Sequence, residues 1–308
     1  MGLVGLDVLG IKRLSDVRFS HATNSVSALS AAISSRTVDF VEADVTLGDS
    51  GEAIMAHPPE RRSDLTFRGF VSAFSELAAV GGVRGMKIDF KDAAVIEPCL
   101  RVLAAAVAEA GPAWRHPIWL NADIFLGPGG AAPGIEAADF IRRCTHAVPT
   151  AALSLGWTTG WSVRACLGWH GYTGSQVDVA LASLIKLERS VAVTWALRAS
   201  IAMQTEPKTL HRLTQNGQTI TVWGEAGPAE LTWLRSPQIA PVAFVDVGPP
   251  GPYLWATWGG QILAWLALSS VFSVAFVCLR PRRRHSIEIL FVLGTALLTV
   301  RLAAALLC

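Results

Sequence analysis

Residues 40–45, Phe40-Val41-Glu42-Ala43-Asp44-Val45, decide how this chain is read. They form a β-type run in which charged and apolar residues alternate. Side chains alternate faces along a strand, so Glu42 and Asp44 share one face and Val41, Ala43 and Val45 the other. Core strands avoid carboxylates unless these are paired or used. The run is flanked by His21-Ala22-Thr23-Asn24 on one side and by Ala56-His57-Pro58-Pro59 on the other. Two histidines thus bracket two carboxylates within one βαβ-sized unit. That inventory holds an acid, a base and half of a metal site.

Outward from this unit, β-type runs recur near 17–21, 39–46, 85–90, 117–122, 151–156, 190–197, 218–223 and 242–246. Helical patterns rich in Ala and Leu separate them at 25–35, 67–80, 93–110, 135–147, 177–188 and 229–235. Strands alternating with helices in this number predict an α/β fold of the (β/α)8 type, a TIM barrel. The same alternation permits an open doubly wound sheet. No Gly-x-Gly-x-x-Gly follows the first strand, which counts against dinucleotide binding. The cluster Asp246-Val247-Gly248-Pro249-Pro250-Gly251-Pro252 ends the globular unit. The expected organisation is therefore a barrel domain over 1–251 and a tail over 252–308.

The tail carries the apolar excess of a chain of 308 residues that is 51% hydrophobic and 16% charged, with mean hydropathy +0.41. Residues 253–279 contain no charge, and 286–308 hold only Glu288 and Arg301. A spanning helix needs about 20 apolar residues, so 253–279 is a strong transmembrane candidate and 286–308 a weaker one. A buried core helix is the other reading of the first. Arg280-Pro281-Arg282-Arg283-Arg284 lies between them and would face the cytoplasm. The expectation is a barrel anchored to a membrane through its C-terminal tail and placed on the lumenal or extracellular side, although Met1–Asp7 does not read as a signal peptide. Residues 252–308 take away five Arg and one Glu, which leaves 21 basic and 23 acidic residues. That balance lacks the basic footprint of a nucleic-acid partner. The five cysteines, Cys99, Cys144, Cys166, Cys278 and Cys308, show neither metal-finger spacing nor a disulfide framework.

Two further strands repeat the alternation. Lys87, Asp89 and Lys91 share a face against Met86, Ile88 and Phe90; Asn121 and Asp123 share one against Leu120 and Ala122. In a barrel that face is the interior at the C-terminal mouth, where active sites are built. Glu42, Asp44 and Asp89 would then offer three carboxylates. Hard oxygen ligands of this kind suit a divalent metal, Mg²⁺ before Ca²⁺, rather than Zn²⁺. The competing reading is a salt-bridge layer with Lys87 and Lys91.

His21 and His57 both fall at strand ends; unperturbed imidazoles change charge near neutrality, so one can accept a proton while the other donates. Only five of the 26 basic residues are Lys, and two of these lie within 87–91. A compact ammonium at Lys91 suits a phosphate. Trp157, Arg198 and Trp223 end the fifth, sixth and seventh strands. Arg198 would hold an anion and the tryptophans would wall a pocket or stack on a cationic head group, with packing as the alternative for each. His116, His146, His170, His211 and His285 have no partner spacing and read as surface or structural.

These segments together resemble the menorin family. The motifs are His21-Ala-Thr-Asn24, Val41-Glu-Ala-Asp-Val-Thr-Leu47, Ile54-Met-Ala-His-Pro-Pro-Glu60, Gly85-Met-Lys-Ile-Asp-Phe-Lys91, Pro117-Ile-Trp-Leu-Asn-Ala-Asp-Ile124 and Leu153-Ser-Leu-Gly-Trp-Thr-Thr-Gly-Trp161, six in order over residues 15–247. The family is similar to the phospholipase-C-like phosphodiesterases, which include glycerophosphodiester phosphodiesterases and the sphingomyelinase D type, all (β/α)8 barrels.

The resemblance implies His21 and His57 as catalytic histidines, Glu42, Asp44 and Asp89 as metal ligands, and Lys91 as a phosphate contact. Trp223 matches a substrate-side tryptophan more loosely. The implied activity is metal-dependent cleavage of a phosphodiester or lysophospholipid-like substrate. The alternative it implies is a catalytically silent recognition module with a cell-surface protein partner. Two positions depart from the glycerophosphodiesterase pattern: Ala22-Thr23 stands where Arg-Gly follows the first histidine, and Pro58 where Asp follows the second.

Overall fold

The computed structural model describes residues 9–160, 171–185 and 191–248. Among them, nine strands form one sheet: β1 (Phe19–Ser20), β2 (Phe40–Leu47), β3 (Ala53–Met55), β4 (Gly85–Phe90), β5 (Ile118–Leu126), β6 (Ala152–Thr158), β7 (Val193–Arg198), β8 (Thr219–Glu225) and β9 (Ala243–Gly248). The order is β1-β2-β4-β5-β6-β7-β8-β9, and every neighbouring pair along it is parallel. β3 adds antiparallel to β2 as a short return. Eight consecutive parallel neighbours with intervening helices are the strands of a TIM-type barrel, not an open doubly wound sheet. The barrel is nearly closed: among the described residues no ladder joins β1 to β9, and the single turn Leu14–Asp16 packs against β9 at that seam.

The helices are α1 (Val26–Ser34), α2 (Phe67–Ala79), α3 (Ala93–Ala110), α4 (Ala137–Ala147), α5 (Gly174–Leu184), α6 (Ala199–Ala202), α7 (Pro207–Leu213) and α8 (Pro228–Leu234). Each long helix starts on a side-chain cap that the sequence supplies, such as Ser25, Thr66 and Asp92. α2 buries Phe67, Phe70, Val71 and Phe74, the i, i+3, i+4, i+7 stripe of a helix lying on a sheet. The pair α6 and α7 after β7 was not expected from the sequence.

The strands sort their residues by face. Val41, Ala43, Val45, Met86, Ile88, Phe90, Leu120, Leu153, Leu155, Trp195 and Val222 point outward into the core beneath the helices. The inward residues change character along the barrel. At the N-terminal end Phe40, Trp119 and Phe244 form a floor with ring centroids 4.6 Å apart for both Phe40–Trp119 and Trp119–Phe244. Gly85 is required there, because a Cβ would collide with the Phe40 ring. Above the floor the inward positions turn polar: Glu42, Lys87, Asn121, Ser154, Thr194, Thr221 and Asp246 are all buried.

The transmembrane expectation is corrected here. The longest described helix, α3, is an amphipathic cover that carries Glu97, Arg101 and Glu109 on its length. Among the described residues no helix is long and apolar enough to cross a membrane. Segments 253–279 and 286–308, on which the tail, the membrane contact and the lumenal or extracellular placement all rested, lie outside the described residues.

Candidate active site

The C-terminal ends of the strands open into a cavity of about 620 Å³. His21, Glu42, Asp44, His57, Asp89, Lys91, Arg198 and Trp223 all line it, together with Lys87, Asn121 and Asp123. Register explains the convergence. Glu42 pairs with Lys87 and Asp44 with Asp89 across β2 and β4, Asp89 with Asn121 across β4 and β5, and Arg198 with Trp223 across β7 and β8. His57 arrives by a different route. β3 folds back along β2, and the Ala56 N–H donates to the Asp44 carbonyl at 3.0 Å, which sets His57 at the rim.

Three carboxylates form the acidic centre. Glu42, Asp44 and Asp89 each offer an oxygen within 4.8 Å of the others, and all three are buried. The loop after β1 shapes this group. The Ala22 N–H donates to Glu42 Oε2 at 2.7 Å, and Ala22 adopts φ +50° to do so, a left-handed conformation that strains a residue with a Cβ. The Asn24 amide donates to Asp44 Oδ2 at 2.8 Å while its own carbonyl accepts from the Asp44 N–H at 2.9 Å.

Lys91 Nζ lies 2.6 Å from Asp89 Oδ2 and 3.1 Å from Asp44 Oδ1, so part of the salt-bridge layer is also real. It does not use up the centre, since the buried Asp89 Oδ1 has no hydrogen-bond partner among the described residues. An all-oxygen set with a buried, unpaired carboxylate oxygen fits a hard divalent cation.

The electrostatics separate the groups. Burial would raise the Asp89 carboxyl, but Lys91 and Lys87 hold it below the usual range. Burial pushes Glu42 up to about 7 against the pull of Lys87 and His21. Asp123 is likewise raised to about 7, by burial and then by Asp89. Lys91 is raised, because the carboxylates of Asp89, Asp44 and Asp123 outweigh its burial.

His21 Nδ1 stands 3.2 Å from Asp246 Oδ1 and 3.3 Å from Glu42 Oε2. The hydrogen bond to Asp246, aided by the charge of Glu42, raises His21 to about 9 despite its desolvation. Lys87 Nζ reaches the other Asp246 oxygen at 3.3 Å, which keeps that carboxylate ionised.

Asp246 is the residue the sequence reading missed. In the sequence it closes the β-type run 242–246 and opens the Gly/Pro cluster, with no site role. Its signal was present, since Phe244 and Asp246 alternate with Val245 as the inward residues of the other strands do. Asp123 was placed on the right face but given no part in the site. Trp157 takes the packing alternative: it points outward, fully buried against Phe125, Tyr172 and Trp195. Arg198 and Trp223 do meet, the guanidinium lying 5.5 Å from the indole centroid, so that face of Trp223 already carries a cation.

Residues 13–236 match the Menorin N-terminal domain. This chain belongs to the menorin family. The match to the menorin domain ends before β9, so Asp246 lies beyond it. Protein FAM151B of Homo sapiens is 32% identical to this menorin chain over 213 residues, 68% of this chain and 72% of the human protein. Among solved structures, a glycerophosphodiester phosphodiesterase from Agrobacterium tumefaciens str. C58 is 12% identical, with 75% of this chain and 96% of that chain covered, at a TM-score of 0.42. An endo-beta-1,4-mannanase from Cellulomonas fimi is 10% identical, with 85% and 73% covered, at 0.46. At these scores neither likeness bears on what the menorin domain does.

Proposed function

We propose that this chain is a metal-dependent phosphodiesterase that acts on a phosphodiester or lysophospholipid-like substrate through His21 and His57. The observation that carries the reading is one cavity lined by both histidines, three buried carboxylates and Lys91. Glu42, Asp44 and Asp89 are the residues to hold Mg²⁺, or Ca²⁺, which when bound would neutralise charge on the phosphoryl oxygens.

The ring nitrogens support distinct roles. His57 Nδ1 lies 2.6 Å from the Pro58 carbonyl, which can only accept, so Nδ1 carries a hydrogen and Nε2 is the nitrogen left to exchange a proton with substrate. That fits His57 as the base. His21, raised to about 9 by Asp246 and Glu42, keeps its proton at neutral pH and fits the acid. In the step, His57 takes the proton of a substrate hydroxyl, whose oxygen bonds to phosphorus to give a cyclic phosphate. The bond from phosphorus to the leaving oxygen breaks, and His21 protonates that oxygen. Lys91 and Arg198 would hold the phosphate by charge, and Trp223 would wall the leaving group.

The test is hydrolysis of a panel of phosphodiesters and lysophospholipids by the full chain, with Mg²⁺ and with chelator. Metal-dependent cleavage lost in His57→Ala, with the fold unchanged by circular dichroism, is the expected result. Cleavage unaffected by His57→Ala would remove the acid–base assignment. Metal binding with no turnover across the panel would favour the recognition module instead.

A further inference from the structure

The position Lys91 occupies is one that a metal would contest. Its ammonium bridges Asp89 Oδ2 and Asp44 Oδ1, oxygens of two of the three carboxylates in the acidic centre. Those are the charges a divalent cation would take. An ammonium displaced from them inside a largely buried cavity needs another anion, because an unpaired buried charge is strongly destabilising.

Asp123 stands where that anion is required. Asp89 and Asn121 are register partners on β4 and β5; Asp123 lies two residues further along β5, Lys91 directly after the end of β4, and both line the cavity. The Asp123 carboxylate acts on Lys91 through its charge and makes no hydrogen bond of its own among the described residues. Its space is provided deliberately: Gly156 is its register partner on β6, and a Cβ at Gly156 would collide with Asp123 Oδ1.

We infer that Lys91 is an exchangeable counter-ion of the acidic centre: it holds Asp44 and Asp89 together until a divalent cation takes their oxygens, and Asp123 then receives its ammonium beside the phosphate. The inference rests on the metal reading of Glu42, Asp44 and Asp89. Asp123 is in this scheme a positioning residue that acts through Lys91. By linkage, the lysine competes with the metal and its second partner relieves the competition.

Calorimetric titration of Mg²⁺ into the full chain tests this, with wild type, Lys91→Met, Asp123→Asn and the double variant. Removing the competitor should tighten metal binding about tenfold, and removing the receiving carboxylate should weaken it about three- to fivefold. In the Lys91→Met background, Asp123→Asn should change affinity by less than about twofold, because a residue acting through another loses its effect when that partner is gone. Unchanged or weaker metal binding in Lys91→Met would overturn the exchange. So would an Asp123→Asn effect of the same size in both backgrounds, which would mean that Asp123 acts on the metal by its own charge. Lys91→Gln carries the same test if the methionine variant does not fold. Failure of the wild-type chain to bind either Mg²⁺ or Ca²⁺ would instead overturn the metal reading beneath the inference.

Discussion

His21 shows how much one side chain depends on where its neighbours come from. Its Nδ1 faces Asp246 and Glu42, and that pair keeps the ring protonated up to about 9. Asp246→Asn should bring its titration, followed by NMR, down toward the ordinary 6.5. The alkaline limb of the pH–rate profile should move with it, while a purely structural Asp246 would leave that limb in place. Because the folded value is raised, the protonated ring stabilises the fold fully below about 6.5, and this is lost as pH rises through about 9. His57→Ala, which removes the proposed base, should lower kcat by about 10²- to 10⁴-fold.

At the scale of elements, His116 is a structural histidine, as its lack of partner spacing suggested. It is buried between α2 and the entry to β4. Nε2 lies 3.0 Å from the Phe74 carbonyl, and Nδ1 lies 3.1 Å from the Arg84 nitrogen and 3.0 Å from the Arg84 carbonyl. Burial outweighs the two carbonyls and lowers its pKa. The sign is opposite to that of His21: as pH falls below about 6.5 the unfolded chain takes up a proton that the folded chain refuses, so stability falls on acidification. The stability difference between wild type and His116→Gln, read from denaturant midpoints, should shift against wild type from pH 7.5 to 5.5, because the opposite contributions of His21, Glu42 and Asp123 are common to both proteins. The floor of the barrel makes a steric prediction. Gly85→Ala would press a methyl group into Phe40 and should cost about 1–3 kcal/mol, read as a lower urea midpoint with an unchanged m-value.

For the whole molecule, the barrel mouth collects the carboxyls of Glu42, Asp44, Asp89 and Asp123 against Lys87, Lys91 and Arg198. A cation that binds the folded chain alone should raise its Tm, with about 2.7 kcal/mol gained at a hundred times Kd. A thermal scan with Mg²⁺ and then with excess chelator checks this; identical curves would count against the acidic centre as a metal site. The alternation of strands and helices, and the shared faces of Glu42 with Asp44 and of Asp89 with Lys91, were legible in the sequence, because side-chain alternation is a local property that a few residues establish. Alternation also put Asp123 on the correct face. It could not assign Asp123 its charged neighbours, since Lys91, Lys87 and Arg198 act on it from parts of the barrel remote in the sequence. Nor could it read Trp157, whose place at a strand end said nothing of which face it takes. His21 and Asp246 are separated by 225 residues, and only the near-closure of the barrel sets the first strand beside the last. Local periodicity thus determined the elements and most of the acidic centre. The tertiary structure alone decided which charges compensate one another, because that depends on distances between strands remote in the chain.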